Sequence, residues 1–158
     1  MMQLAFAWLE HSWLGIAVNE SKWAFAALEA GHLLSLAMLG GAVLLVDLRI
    51  LGWGLKEEPI RKIARAAQPW LIAGLAGMIV TGVPLLASLA GSKYYGNEAF
   101  RLKMYFLAAA LLFTFTIRQR FARREASPVG ALQAKMIAVT SVLLWSGVGI
   151  MGRGIGFY

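Results

Sequence analysis

The chain of 158 residues is 59% hydrophobic and only 15% charged, and it carries a net charge of +7. Soluble domains average roughly 45–50% apolar and about 25% charged residues, so this composition indicates a membrane protein. The absence of cysteine excludes disulfides, thiolate metal sites and covalently attached haem, and basic residues that cluster between apolar runs favour membrane-flanking loops over nucleic-acid binding.

The amino-terminal segment 3–18 is predicted to form one amphipathic helix that lies at the membrane interface. The segment has no basic start and it contains Glu10 and His11, which is not typical of a cleaved signal peptide. Its apolar residues recur at helical spacing: Phe6, Leu9, Trp13 and Ile16.

Four apolar runs follow, and each is long enough to span a bilayer, which needs about 20 mostly apolar residues. They cover approximately residues 23–48, 69–90, 99–117 and 131–152. We therefore predict an all-α integral membrane four-helix bundle, formed by residues 1–158 as a single domain. The basic segment 59–68 is predicted to be a second, separate surface helix. Glycines of the first two spans are expected to let helices approach closely: Gly40, Gly41, Gly74, Gly77 and Gly82.

The distribution of basic residues predicts the orientation of the bundle, since cytoplasmic loops are enriched in lysine and arginine. The connections after the first and third spans are the richest in basic residues. This pattern predicts a bacterial inner-membrane protein with both termini outside and with His32 near the outer face. The segment DLR at 47–49 is expected to be a salt-bridged anchor at the cytoplasmic boundary.

An acid and an imidazole lie near the start of the first span. Glu29 and His32 are three residues apart, so they share a face of the helix. Ionisable groups inside a membrane-spanning segment cost free energy unless they are partnered, which makes them candidates for a functional site. The structural alternative is that Glu29 pairs with Arg153, Lys103 or His32 and fixes the register of the helices.

Haem b is the first chemistry that fits these residues, because imidazole is a common axial ligand and helix bundles build such sites. His32 would ligate the iron, and Glu29 would orient or tune the site. No other span contains a histidine, so the second ligand would be His11, Met104 or Met151, or the haem would be five-coordinate. The propionates would be held by basic residues at the same face: Arg101, Lys103 and Arg153.

Two other ligands remain open for the same residues. A copper or iron ion could be bound by Glu10, His11, Glu29 and His32, although one copy of Glu-x-x-His is only part of a di-iron signature. Alternatively, a quinone could exchange protons with Glu29 and His32 near the interface.

Several short motifs occur in an order that resembles a known family. They are WLE at 8–10, E-x-x-H at 29–32, DLRILG at 47–52, PW at 69–70, F-x-x-K at 100–103 and GRGIGFY at 152–158. The chain resembles a family of small bacterial four-helix membrane proteins classed as a domain of unknown function. This resemblance implies four spans and an inner-membrane location, and it assigns no functional residue. In layout the chain is also similar to small cytochrome b subunits, but it lacks their paired histidines on the later spans.

The leading prediction is a haem-b-binding electron-transfer subunit with its site near the outer face. Such a subunit would contact the lipid bilayer and other membrane or periplasmic redox proteins, as part of a homo- or hetero-oligomer. The alternative is a non-catalytic accessory subunit of a larger membrane complex, whose glycine-rich helix faces would serve assembly. An independent catalyst is not favoured, because no nucleophile–base pair is evident.

Overall fold

The computed structural model describes residues 2–123 and 131–157, and this part of the chain is helical and contains no strand. Four helices in these ranges are long and apolar enough to cross a membrane, which confirms the predicted all-α membrane bundle. The helices are α1 (Met2–Glu10), α2 (Trp13–Glu20), α3 (Lys22–Leu51), α4 (Ile60–Ser88), α5 (Glu98–Phe113), α6 (Gln119–Arg123) and α7 (Ala131–Gly154).

Three shorter helical turns complete the described chain. A π-helical turn at Ala90–Tyr94 follows α4, and a second at Thr114–Arg118 joins α5 to α6. As a result α5, this turn and α6 form one composite membrane-spanning segment, Glu98–Ala122. A 3-10 turn at Ile155–Phe157 follows α7.

Neighbouring long helices alternate in direction, as contacts at their glycines establish. A Cβ placed on Gly31 of α3 would lie 3.4 Å from the Thr81 side chain of α4, and one on Gly74 of α4 would lie 2.7 Å from the Leu39 nitrogen of α3. Residues later in α3 therefore lie beside residues earlier in α4, so the two helices are antiparallel. We call the end of the bundle at which α3 and α5 begin the His32 end, and the opposite end the Asp47 end.

The amino-terminal segment forms two helices where the sequence predicted one. Ser12 interrupts the expected helix, because its side chain accepts a hydrogen bond from Gly15 N at 3.3 Å and caps α2. Gly15 then lies so close to Ala87 that a Cβ would sit 2.9 Å from the Ala87 carbonyl. Asn19 Nδ2 also donates to the Ser88 carbonyl at 3.1 Å. Both contacts attach α2 to the last turn of α4.

The separate surface helix predicted for 59–68 is not separate, because α4 runs without interruption from Ile60 to Ser88. Pro69 lies inside this helix. A proline removes one N–H donor, but in a membrane-spanning helix neighbouring helices can compensate for the loss. Ile63 and Ala67, on the apolar face of the basic segment, are buried in the core against α3. The amphipathic pattern is therefore correct, and it describes the first turns of a spanning helix.

A buried ion pair lies at the Asp47 end and joins α3 to the turn Thr114–Arg118. Arg118 Nε donates to Asp47 Oδ1 at 2.6 Å, and Arg118 Nη2 donates to the Val43 carbonyl at 2.7 Å. The two side chains are 5% and 0% exposed. Asp47 is thus salt-bridged, as expected of the DLR segment, and its side chain is fully buried within the bundle. Arg49 instead donates to two backbone carbonyls in the connection to α4.

Replacing Gly74 by alanine is expected to lower the free energy of unfolding by about 1–3 kcal/mol, because the added methyl group overpacks the helix interface. The methyl group would meet the backbone of Leu39 at 2.7–2.9 Å, and backbone cannot rotate away. Gly40→Ala is the matched control. It meets nothing within 4 Å, and alanine favours helix over glycine by up to about 1 kcal/mol. Denaturant titration in mixed micelles measures both variants, and equal stabilities would contradict the close approach.

Candidate functional site

A cavity of about 290 Å³ opens at the His32 end between α3, α4, α5 and α7. Its polar lining consists of Glu29, His32, Lys93, Tyr94, Lys103 and Arg153. Its apolar lining includes Phe25, Leu33, Leu36, Met78, Leu86 and Phe100. A small-molecule site has this character, with apolar walls and a few convergent polar groups, and the volume lies close to the lower end of the usual range of about 300–1,000 Å³.

His32 is held in one hydrogen-bonded state by Thr81 of α4. The Thr81 hydroxyl donates its single hydrogen to the Gly77 carbonyl at 2.6 Å, so it can only accept from His32 Nδ1, which lies 2.9 Å away. Nδ1 therefore carries a hydrogen, and in the neutral ring Nε2 has the lone pair. Within the described residues Nε2 makes no hydrogen bond, and the ring lines the cavity.

Gly82 makes room for the same imidazole ring. A Cβ at this position would lie 3.0 Å from His32 Cε1, which is tighter than ordinary van der Waals contact. From the sequence, Gly82 was predicted only to allow close helix packing, and Thr81 was not among the predicted site residues. A signal for Thr81 was present, since a hydroxyl in an apolar span without charged residues needs a partner.

The π-helical turn Ala90–Tyr94 supplies one wall of the cavity. Gly91 N donates to Glu10 Oε2 at 2.6 Å, so the end of α1 holds this turn in place. The Tyr94 ring packs against Phe100, with 5.1 Å between the ring centroids. Burial raises the pKa of the Tyr94 hydroxyl above its usual range, and the negative charge of Glu29 raises it further. Tyr94 is therefore a neutral hydrogen-bonding group beside the cavity.

The carboxyl-terminal turn closes the cavity beside the start of α5. Asn97 caps α5 by accepting from Phe100 N at 3.0 Å, and its Nδ2 lies 3.5 Å from the Ile155 carbonyl. Arg153 lies over the Phe157 ring, 5.8 Å from its centroid, within the range of a cation–π contact. These contacts position the Arg153 guanidinium at the mouth of the cavity.

The cavity brings together four of the residues that the sequence singled out: Glu29, His32, Lys103 and Arg153. Glu29 is exposed and forms no ion pair or hydrogen bond with the described residues. The alternative prediction, in which Glu29 pairs with another side chain and fixes the register of the helices, is therefore not found among them.

Four other candidates do not line the cavity: His11, Arg101, Met104 and Met151. His11 Nδ1 donates to the Ala7 carbonyl at 3.1 Å on the exposed side of α1. Met104 is 45% exposed, and Arg101 is also exposed. Residues 2–123 and 131–157 contain no group of three or more histidine or acidic side chains that could hold a metal ion, so Glu10, His11, Glu29 and His32 do not converge.

Together these features define a class: a multi-pass integral membrane protein built as a helical bundle, with an amphipathic cavity at one end. The chain belongs to a family described as "Family of unknown function (DUF6644)", which matches residues 5–158, as its motifs predicted. No curated protein and no solved structure matches the chain.

Proposed function

We propose that the protein is an electron-transfer subunit of the bacterial inner membrane that binds haem b in the cavity at the His32 end. The state of His32 is the observation that carries this proposal. Thr81 holds Nδ1–H, which leaves the lone pair of Nε2 for the iron. Metal-ligating histidines are held in this manner, with the second ring nitrogen donating to a fixed acceptor.

The charges of the cavity support the same ligand. Lys93, Lys103 and Arg153 line it, and haem propionates form charge-assisted hydrogen bonds with such cations. Haem bound there would supply one-electron redox chemistry. A cavity of about 290 Å³ is smaller than a whole tetrapyrrole, so the lining residues would hold only part of a bound haem.

The lining also limits the choice of a second axial ligand. Among the described residues Met78 is the methionine that lines the cavity, whereas Met104 and Met151 do not. His11 faces away, bonded to its own helix. Met78 is therefore the described methionine that could supply a second ligand if haem were bound in the cavity.

The His32 end is proposed to face the outside of the cell. Basic side chains are more frequent around the Asp47 end, where they include Arg49, Lys62, Arg65 and Arg120, and cytoplasmic segments have this bias. A carboxyl-terminal reporter that fluoresces only in the cytoplasm is expected to stay dark, and a fluorescent fusion would reverse the orientation.

A quinone is the second candidate, and the cavity volume of about 290 Å³ favours it because a quinone ring fits inside that space. The Nε2 lone pair could accept a hydrogen bond from a quinol hydroxyl, and the neutral Tyr94 hydroxyl could donate to a quinone carbonyl. This chain would then be the quinone-binding part of a larger redox complex.

Optical spectra of the detergent-purified protein, oxidised and dithionite-reduced, test the leading proposal. Wild-type protein expressed with added haem is expected to show a Soret band and sharp reduced α and β bands. His32→Ala is expected to lose them, because it removes the axial ligand. His11→Ala is the matched control, since it changes the other of the two histidines in the chain and is expected to keep the spectrum.

A colourless wild-type protein under these conditions would overturn the haem proposal. Ubiquinone binding measured on the same preparation would then support the second candidate. If quinone binding is also absent, the accessory-subunit interpretation is favoured, and its test is the set of proteins recovered on mild solubilisation.

A further inference from the structure

Lys103 is a cation of a membrane-spanning helix, and it has no ion-pair or hydrogen-bond partner in residues 2–123 and 131–157. It lies on α5, lines the cavity and is half-buried. Within the described residues its ammonium makes no ion pair and no hydrogen bond. Its side chain lies over Gly152 of α7, where an added Cβ would be 3.6 Å from Lys103 Cε and 3.8 Å from Nζ.

Arg118, a buried cation of the same composite span, has protein partners. Its guanidinium donates to a carboxylate at 2.6 Å and to a backbone carbonyl at 2.7 Å. A charge removed from water costs free energy unless it is paired, so such groups are normally satisfied or functional. Lys103 has no such pair in the described part of the chain, and the cavity is the space beside it.

The rest of the cavity does not neutralise Lys103. Among the residues that the structure describes, its lining contains three cationic side chains, Lys93, Lys103 and Arg153, and one carboxylate, that of Glu29. Glu29 is exposed and forms no ion pair with the described residues. The described lining therefore carries an excess of two positive charges when His32 is neutral, and this excess favours an anionic ligand.

We propose that Lys103 binds the acid group of an anionic amphiphile whose apolar body packs against Leu33, Leu36 and Phe100. The inference rests on the proposed use of this cavity, and it goes further by naming the class of ligand. A haem propionate and the carboxylate of a long-chain acid share this chemistry, whereas a neutral quinone lacks it.

This assignment is tested by removing the acid group of the ligand and the charge of Lys103, separately and together, and measuring binding. Purified full-length protein is titrated with haem and with haem dimethyl ester, in the wild type and in Lys103→Met. A charge-assisted hydrogen bond changes affinity by about tenfold or more. The wild type is expected to prefer the acid by about that factor, and Lys103→Met is expected to bind acid and ester equally.

Two matched variants separate charge recognition from folding. Arg101→Met removes a nearby exposed cation that does not line the cavity, and it is expected to keep the preference for the acid. Lys103→Arg retains the charge and is expected to restore most of that preference. An unchanged preference in Lys103→Met, or no preference in the wild type, overturns the proposal.

A second arm separates this inference from the haem proposal. The same cycle is run with cis-parinaric acid and its methyl ester, fluorescent probes that contain no metal and do not need His32. A preference for cis-parinaric acid over its ester that is lost in Lys103→Met, in a protein that shows no haem spectrum, supports a long-chain acid as the ligand and rejects haem. Absence of discrimination in both arms, or absence of binding in both, overturns the anion site.

Discussion

Replacing Arg118 by methionine is expected to lower the free energy of unfolding by about 3–5 kcal/mol. The substitution leaves the Asp47 carboxylate, which is 0% exposed, without its guanidinium partner. Few other hydrogen bonds are available to stabilise the charge of the Asp47 carboxylate. Its second oxygen and the hydroxyl of Ser141 both lack a hydrogen bond of normal geometry within the described residues, although the Ser141 hydroxyl lies beside Asp47. An unpaired buried carboxylate must therefore be protonated or draw in water, and both cost stability.

Denaturant titration in mixed micelles measures this loss, and two controls interpret it. Asp47→Leu combined with Arg118→Met replaces both charges, so it is expected to recover most of the lost stability. Lys62→Met removes the exposed pair with Glu58, whose atoms are 2.9 Å apart, and should change stability by less than about 1 kcal/mol. If the single and double variants are equally unstable, the loss comes from packing and not from an unpaired charge.

The sequence predicted that the candidate site residues lie at the same end of the bundle. Alternating spans of similar length bring the starts of the first and third spans and the ends of the second and fourth to one face. This reasoning placed Glu29, His32, Lys103 and Arg153 at the same end, and the cavity there contains all four. Charge and hydropathy were sufficient, because depth in a bilayer follows from chain length.

The sequence could not predict which way each residue faces around its helix axis. Adjacent residues differ by about 100° around a helix, so Met104 can share the depth of Lys103 and still be 45% exposed. The rotation of a helix is set by its packing against neighbours, which involves residues distant in the chain. The Asp47–Arg118 pair shows the same limit, since its partners are 71 positions apart and neither motif identifies the other.

Replacing Thr81 by valine is expected to release the His32 ring while keeping the shape of the side chain. Valine removes the hydroxyl that accepts from His32 Nδ1 at 2.9 Å, and the helix loses only a side-chain bond to Gly77. Without that acceptor the ring can rotate, and its hydrogen can move to Nε2. Thr81→Ser retains the hydroxyl and is expected to behave as the wild type.

Nitrogen-15 NMR of protein labelled at histidine reports which ring nitrogen carries the hydrogen, and it needs no ligand. The chain has two histidines, and the exposed His11 serves as the internal reference. The wild type is expected to show His32 as the Nδ1–H form, and Thr81→Val is expected to show a mixture of both forms. If haem binds at Nε2, the same variant should weaken haem affinity by about 10–100-fold, as removal of a hydrogen-bond partner of a metal ligand typically does. An unchanged tautomer in Thr81→Val would mean that Thr81 does not set the state of His32. The haem proposal would then lose its main support, because nothing else among the described residues reserves Nε2 for a ligand.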